Sequence, residues 1–319
     1  MQAIIIPKYG SRDVLIIDEL EKPQPKENEL LIKIKAATVG ATDPIFRAGK
    51  PFISRLYTGL LKPKYSIPGV EFAGVIEETG KDVKSFKIGD EVFGISVNFG
   101  VHADYKCFPE NAVLSTKPAN ISFEEAASAS EALTGLIFLR DAAKIQPGQE
   151  VLINGASGAV GTYAIQLAKY FGAKVTAVCG TSNLELVKSL GADYVSDYTR
   201  EDFTSNEKKY DIIFDAIGWR TFAKCKPVLK SDGVYLTTNP GLGVMFQIIW
   251  TSIFGGKKIK WIASGLKAKS SDLCYLKELF ESGHIKPVVD KIYKMRQIAE
   301  AHEYVETGHK KGSAVITLN

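Results

Sequence analysis

The chain has 319 residues, of which 45% are hydrophobic and 24% charged, enough for two cores of ordinary globular composition. A formal net charge of +4, with no basic cluster interleaved with aromatics, gives no support to a nucleic-acid partner. The amino terminus MQAIIIPKYG does not read as a signal peptide, and the longest apolar stretch, around Val244–Phe254, is too short for a membrane span of about 20 residues.

In chain order, the first third reads as short strands at Leu30–Ala36, Glu71–Thr79 and Asp90–Gly94, set between solvated turns such as Lys22–Glu29 and Lys84–Asp90. A compact, mostly antiparallel barrel is expected there. Within it, FISRLYTGLLKPKYSIPG is a long apolar-basic insertion that reads as a lid over a cleft or as a surface excursion. The texture changes near Ile121, where Ser122 with Glu125 three residues on predicts a capping box opening a helical run to Ala143.

After Pro147-Gly148, strands and helices alternate. Strands are expected at Glu150–Asn154, Lys174–Cys179, Tyr194–Val195, Asp211–Ala216 and Gly233–Thr238, and helices at Thr162–Phe171, Asn183–Leu190 and Phe222–Leu229. That alternation implies right-handed βαβ units and a parallel sheet, a Rossmann-type domain reaching about Gly265. Val244–Phe254 reads as pocket wall, subunit interface or core, and Lys258–Ser264 as the edge strand of the sheet. Helices at Ser271–Ser282 and Met295–Thr307 and a strand at Ala314–Leu318 close the chain. Four cysteines, Cys107, Cys179, Cys225 and Cys274, lie far apart with no CxxC pair, which points to free thiols in a reducing cytoplasm.

The strongest local signal is VLINGASGAVGTYAIQLAKYFGA, in which Gly155, Gly158 and Gly161 follow a strand and open a helix. Gly155, Ala156, Ser157, Gly158, Ala159, Val160 and Gly161 are therefore expected to bring backbone N–H groups and a helix N-terminus to the pyrophosphate of a dinucleotide. A site for NAD usually carries an acid about twenty residues on, at the end of the second strand. Here that turn is Cys179-Gly180-Thr181-Ser182-Asn183, with no acid before Glu185. An acid-free turn admits a 2′-phosphate, with Ser182 donating to it and Lys188 or Arg200 neutralising it, so NADPH is the expected cofactor. The plainer reading makes Ser182 or Asn183 a helix cap and the cations solvated surface groups.

With these pieces placed, the chain resembles the medium-chain dehydrogenase/reductase superfamily over essentially its full length, most of all the zinc-free quinone oxidoreductase and enone reductase branch. The resembling segments include Ala37–Gly49 (ATVGATDPIFRAG), Ile67–Gly94, Asn154–Ala173, Leu190–Phe203 (LGADYVSDYTREDF) and His302–Leu318. The resemblance implies an α/β protein with a GroES-like β-barrel domain over residues 1–121, completed by 266–319, and a doubly wound Rossmann domain over 122–265. It further implies that Ser182 and Tyr198 hold the adenosine phosphate end of the cofactor. Ile217, Asn239 and Gly265 would line the path to the nicotinamide, with Thr134 near it and Lys311 reaching in from the carboxy-terminal segment.

The departures from the family are equally informative. Zinc alcohol dehydrogenases of this family place Cys where Gly40 stands and a His-Glu pair where Val70-Glu71 stands, and they carry a four-cysteine lobe that is missing here. No metal is expected, since two carboxylates, Asp43 and Glu71, make a poor zinc site. Without a Lewis acid the chemistry favours hydride delivery to a small hydrophobic electrophile already activated by conjugation, a quinone or an α,β-unsaturated carbonyl. Asp43 is a candidate for organising the cleft or for closing the barrel. Tyr57, or Tyr65, is a candidate hydroxyl for the emerging oxyanion. The rival readings are a non-catalytic NADPH-binding interaction or redox-sensing protein, and a zinc-free alcohol dehydrogenase or aldehyde reductase. The resemblance also implies a homodimer paired through the sheet edge.

Overall fold

Burial alternates along Ile32–Ala36 and Gly74–Glu77, within ELLIKIKAAT and EFAGVIEET, the two longest strands of the amino-terminal part. The computed structural model describes residues 1–239 and 241–318, with the backbone alone for residues 53 and 242. In order come β1 (Gln2–Ile5), β2 (Ile16–Glu19), β3 (Glu29–Thr38), α1 (Thr42–Ala48), α2 (Arg55–Thr58), β4 (Glu71–Thr79), β5 (Glu91–Ile95), β6 (Tyr105–Pro109), β7 (Leu114–Thr116) and α3 (Phe123–Ala129). The middle of the chain forms α4 (Ala132–Leu136), β8 (Glu150–Asn154), α5 (Ala159–Tyr170), β9 (Lys174–Cys179), α6 (Leu184–Ser189), β10 (Tyr194–Asp197), β11 (Tyr210–Asp215), α7 (Phe222–Cys225), β12 (Leu229–Thr237), α8 (Leu242–Ile253), β13 (Lys258–Lys260) and α9 (Ser264–Lys267). The chain closes with α10 (Ser270–Glu281), β14 (Val289–Lys294), α11 (Ile298–Glu306) and β15 (Ser313–Thr317).

Two compact units result, one of residues 1–131, 268–283 and 287–319, the other of residues 132–267 and 284–286. In the first, the sheet runs β14-β15-β3-β4-β5-β7, with β6 also on β3, and every pair except β14–β15 is antiparallel. Ile32, Ile34, Phe72, Val92 and Ile316 fill its core. In the second unit the order is β10-β9-β8-β11-β12-β13, all parallel. Numbered within that unit this is 3-2-1-4-5-6, the doubly wound order in which the strand order reverses between β8 and β11.

The structure corrects several expectations. The boundary between units falls ten residues later than 121/122, because α3 packs on β3, β4 and β15 of the barrel sheet. Ser122 and Glu125 do form the capping box. The helical run they open breaks after Ala129, resumes as α4, and ends in π-helical turns at Ile137–Ala143, stopped by Lys144 at φ +57°. The helix expected over Phe222–Leu229 stops at Cys225. Pro227 has no N–H to continue the α ladder, so the chain tightens into a 3-10 turn over Lys226–Val228, and Leu229 already starts β12. The edge strand expected over Lys258–Ser264 is only Lys258–Lys260, because β12 offers it ladder partners at Val234–Leu236 alone. Strand β14 escaped the sequence reading, since VDKIYK is half-exposed and shows no apolar run.

Within the first unit, His302 is fully buried, with Nδ1 3.2 Å from Nη1 of Arg47, which also pairs with Glu306 at 2.7 Å. Burial, then the neighbouring His102 and Arg47, push the imidazole down to about 3. The unfolded chain binds this proton below about 6.5 while the folded chain refuses it, so stability falls as pH drops through that window. Urea titrations should show the parent losing about 2 kcal/mol more than His302→Gln between about pH 7 and pH 5. Equal acid slopes would contradict this.

Candidate functional site

At the end of β8 the chain turns at Gly155, whose φ of +75° lies in the left-handed region. Gly158 caps α5 in an extended conformation. Gly161 lies in the first turn of that helix, where a Cβ would come within 2.1 Å of the Gly155 carbonyl oxygen and 2.7 Å of the Ala156 Cα. The helix therefore approaches the strand as closely as a bare backbone permits. The loop is pinned by Ala156 N–H to the Val178 carbonyl (3.0 Å) and Gly158 N–H to the Gly155 carbonyl (3.1 Å). The N–H groups of Ala159, Val160 and Gly161 are first-turn donors with no intrahelical acceptor, at the positive end of the α5 dipole. A pyrophosphate fits such a cradle.

The strand pairing β8–β11 sets Asn154 beside Asp215, and this fully buried carboxylate organises the next loop. Asp215 accepts from Asn154 Nδ2 (2.8 Å) and the Gly218 amide (3.1 Å) on one oxygen, and from the Arg220 amide (2.9 Å) and the Tyr235 hydroxyl (2.8 Å) on the other. Burial, then Asp215, push the Tyr235 hydroxyl far up, so it remains a neutral donor. Asp215 thus fixes the turn that presents Ile217, itself 42% exposed. The sequence reading saw the strand DIIFDA but missed this acid. Its one visible signal was a carboxylate closing an otherwise apolar strand.

The turn after β9 is acid-free along the chain, yet the third dimension brings an acid to it. Asp197 ends β10 in register with Cys179 and accepts from the Thr181 hydroxyl (2.5 Å), the Thr199 amide (3.0 Å) and the Thr199 hydroxyl (2.7 Å). The Thr181 hydrogen bond, above all, holds its carboxyl below the usual range. Neither cation named above stands alone. Arg200, itself exposed, lies 3.5 Å from the buried Asp197, and Lys188 lies 2.9 Å from Glu185, an exposed pair worth about 0–1 kcal/mol and easily exchanged for another anion. Asn183 stands at the N-cap of α6 but makes no side-chain cap bond, and Ser182 precedes it. Ser182 is exposed, and Asn183 Nδ2 donates instead to Ser157 Oγ at 3.0 Å, tying this turn to the phosphate loop. Tyr198 covers Gly180, where a Cβ would lie 3.2 Å from its hydroxyl.

Thr134 meets Ser264 at 3.2 Å, one residue before Gly265 in α9. Asn239 follows β12 with its amide on Thr237 Oγ1 (3.3 Å). In the other unit, the Lys311 amide donates to Asp290 (2.7 Å), while the neighbouring Lys310 reaches Glu131 at 3.9 Å.

Asp43 is buried at the start of α1, its two oxygens taken by the amides of Gly40 (2.7 Å) and Gly69 (3.2 Å). It ties two loops together, and burial pushes its carboxyl up despite those bonds. The Tyr57 hydroxyl donates to the Val97 carbonyl (2.8 Å), and its ring sits among Phe46, Tyr65 and Phe99 with centroids 6.2–6.4 Å away. The insertion carrying it is anchored by the Tyr9 hydroxyl on the Gly59 carbonyl (2.5 Å), with Leu56 and Leu61 left exposed. Glu71 accepts from Thr38 Oγ1 (2.7 Å), and burial followed by repulsion from Glu131 pushes it up to about 8. The positions that would carry zinc ligands hold Gly40 and Val70, and among the described residues no group of three or more His, Cys, Asp or Glu side chains is arranged to hold a metal.

Two family models match, an alcohol dehydrogenase GroES-like domain over residues 26–118 and a zinc-binding dehydrogenase over residues 190–316. The second description names zinc, for which the described residues offer no group of three or more His, Cys, Asp or Glu side chains. Among curated proteins, the chain is 36% identical to 2-methylene-furan-3-one reductase of Solanum lycopersicum, over 99% of this chain and 79% of that one. It is 35% identical to the chloroplastic NADPH-dependent alkenal/one oxidoreductase of Arabidopsis thaliana, with the same coverage. The structure of Escherichia coli quinone oxidoreductase complexed with NADPH superposes with a TM-score of 0.85 at 27% identity, covering 100% of both chains.

Proposed function

This chain belongs to the medium-chain dehydrogenase/reductase superfamily, in its quinone oxidoreductase and enone reductase branch, and from that membership we propose that it is an NADPH-dependent, zinc-independent reductase of quinones or α,β-unsaturated carbonyls. The observation that carries the reading is the loop Gly155–Gly161 at the strand-order switch of a 3-2-1-4-5-6 sheet. When bound, NADPH supplies the hydride. The loop amides hold its pyrophosphate, and Ser182 and Tyr198 hold its 2′-phosphate end. Ile217, Asn239, Gly265 and Thr134 line the remainder, and the family resemblance adds Lys311 as a cofactor contact.

Asp43 acts as a positioning residue through the Gly40 and Gly69 amides. The Tyr57 hydroxyl serves a developing oxyanion by exchanging the Val97 carbonyl for it. With Gly40 and Val70 in place of zinc ligands, activation comes from the conjugation of the substrate.

The test is NADPH oxidation by the full chain with quinones, enones, aldehydes and alcohols, before and after EDTA. Turnover with quinones or enones that survives EDTA is expected. Binding without turnover would favour the non-catalytic reading, and alcohol or aldehyde turnover alone would favour an alcohol dehydrogenase. Placing Asp at Ser182 sets a carboxylate against the 2′-phosphate and should weaken NADPH by roughly 1–3 kcal/mol while sparing NADH, as read by isothermal titration. Equal losses for both cofactors would remove Ser182 from the phosphate end.

The proposal extends to a homodimer formed by two-fold pairing of β13, whose outer backbone groups are otherwise an open edge. Lys260 is no obstacle, since its Nζ turns onto the Ala142 carbonyl (2.6 Å). Light scattering should return about twice the 34.9 kDa chain mass. A reducing compartment such as the cytoplasm fits the four free cysteines, and no helix among the described residues is long and apolar enough to cross a membrane.

A further inference from the structure

One carboxylate joins the turn after β9 to the end of β10. Asp197 is only 8% exposed, and both its oxygens are in use. One accepts from the Thr199 amide (3.0 Å) and hydroxyl (2.7 Å). The other accepts from the Thr181 hydroxyl (2.5 Å), and Nε of Arg200 lies 3.5 Å from that same oxygen. Thr181 and Thr199 are 3.1 Å apart, so the three side chains close a ring across the ends of two parallel strands. This ring borders the place of a 2′-phosphate. In a doubly wound sheet the adenosine ribose lies at the end of the second strand, here β9, which ends at Cys179 and runs into Gly180–Asn183.

The hydrogen bonds decide what the turn can offer a ligand. A hydroxyl has one proton, and Thr181 gives its own to Asp197, so toward the ribose it presents only lone pairs. Arg200 has its charge matched before any phosphate arrives. A phosphate oxygen held by Thr181 would lie about 5 Å from the carboxylate, near enough for like charges to repel even in water. A 2′-hydroxyl meets none of these obstacles, because it is neutral and donates to a lone pair of Thr181. Asn at position 197 would reverse all three. Its carbonyl oxygen keeps the two Thr199 bonds, its NH2 donates to Thr181 Oγ1 and turns the hydroxyl proton outward, and the guanidinium loses its carboxylate.

We propose that Asp197 is the specificity-determining residue at the adenosine end, withholding the Thr181 proton and the Arg200 guanidinium from a 2′-phosphate and so keeping the preference for NADPH over NADH small. This rests on the nicotinamide reading of the Gly155–Gly161 loop and on no particular substrate. Isothermal titration with 2′,5′-ADP and 5′-AMP isolates the phosphate, the one group by which they differ. In the parent the two should bind within roughly tenfold of each other. Asp197→Asn should tighten 2′,5′-ADP by roughly fivefold or more and leave 5′-AMP within about twofold. Thr181→Val, at an exposed position, should leave 2′,5′-ADP within about twofold in the otherwise unaltered chain. In the Asp197→Asn protein it should weaken 2′,5′-ADP by roughly fivefold, because only there does the hydroxyl serve the phosphate. A parent that binds neither nucleotide fails the cofactor reading itself and takes this one with it. A parent that binds both, with Asp197→Asn leaving the ratio unchanged or lowered, overturns the role of Asp197 alone. So does a parent preference of about a hundredfold or more, or a loss of about fivefold from Thr181→Val alone.

Discussion

Asp215→Ala should lower the unfolding free energy by about 3–5 kcal/mol, because three donors lose their buried acceptor while the Tyr235 hydroxyl falls back on the Arg220 carbonyl at 2.6 Å. The amides of Gly218 and Arg220, the Asn154 amide group and the Tyr235 hydroxyl all converge on this carboxylate, which is 0% exposed. Asp215→Asn keeps the shape but presents an NH2 to donors on one side, so a loss of about 2–4 kcal/mol is expected there too. Urea unfolding of the three proteins measures this through the midpoint at constant slope. In whatever fraction remains folded, NADPH should bind more weakly, since the turn carrying Ile217 hangs from the same carboxylate. A shift below about 1 kcal/mol for the alanine variant would show that water replaces the carboxylate without penalty.

Gly161→Val should cost about 3 kcal/mol of cofactor affinity, roughly a hundredfold in Kd, together with a loss of stability. A Cβ at 161 meets two backbone atoms of the phosphate loop, Gly155 O at 2.1 Å and Ala156 Cα at 2.7 Å, and backbone cannot rotate aside as a side chain can. Either the loop lifts away or α5 separates from β8. Gly158 supplies the control within the same motif. Its backbone is extended (φ −79°) and the nearest atom to a built Cβ is 3.5 Å away, so Gly158→Ala should leave the unfolding free energy within about 0.5 kcal/mol. Titration calorimetry and urea unfolding on both variants decide the matter. Indistinguishable variants would mean that the loop is more pliable than its geometry implies.

The contrast between these two glycines shows where sequence reading stops. The spacing of Gly155, Gly158 and Gly161 after an apolar strand announces a phosphate loop, yet which glycine resists substitution depends on atoms brought close only by packing. Charge behaves the same way. Along the chain the turn Gly180–Asn183 has no acid, and the adjacent strand β10 nevertheless delivers Asp197 to Thr181. The segment Val244–Phe254 had three open readings. The structure splits them by face, one packed against the core and one exposed.

By itself the sequence determined the parallel strands β8, β9 and β11 to within a residue, the capping box at Ser122 and the loop at Gly155–Gly161. Each rests on interactions between near neighbours: continuous burial of a central strand, a cap bond three residues long, a tight turn. Only the tertiary structure decided that Asp215 is a hub, that α3 belongs with the barrel sheet, that β13 stops at Lys260 and that VDKIYK is a strand. Each of these depends on a partner far away in sequence. Asn154 and Asp215 are 61 residues apart and meet only through the register of β8 on β11, and β14 is a strand because β15 lies beside it. Local pattern carries a residue's preference for strand, helix or turn, whereas the partner of a buried polar group is set by the sheet order that brings distant segments together.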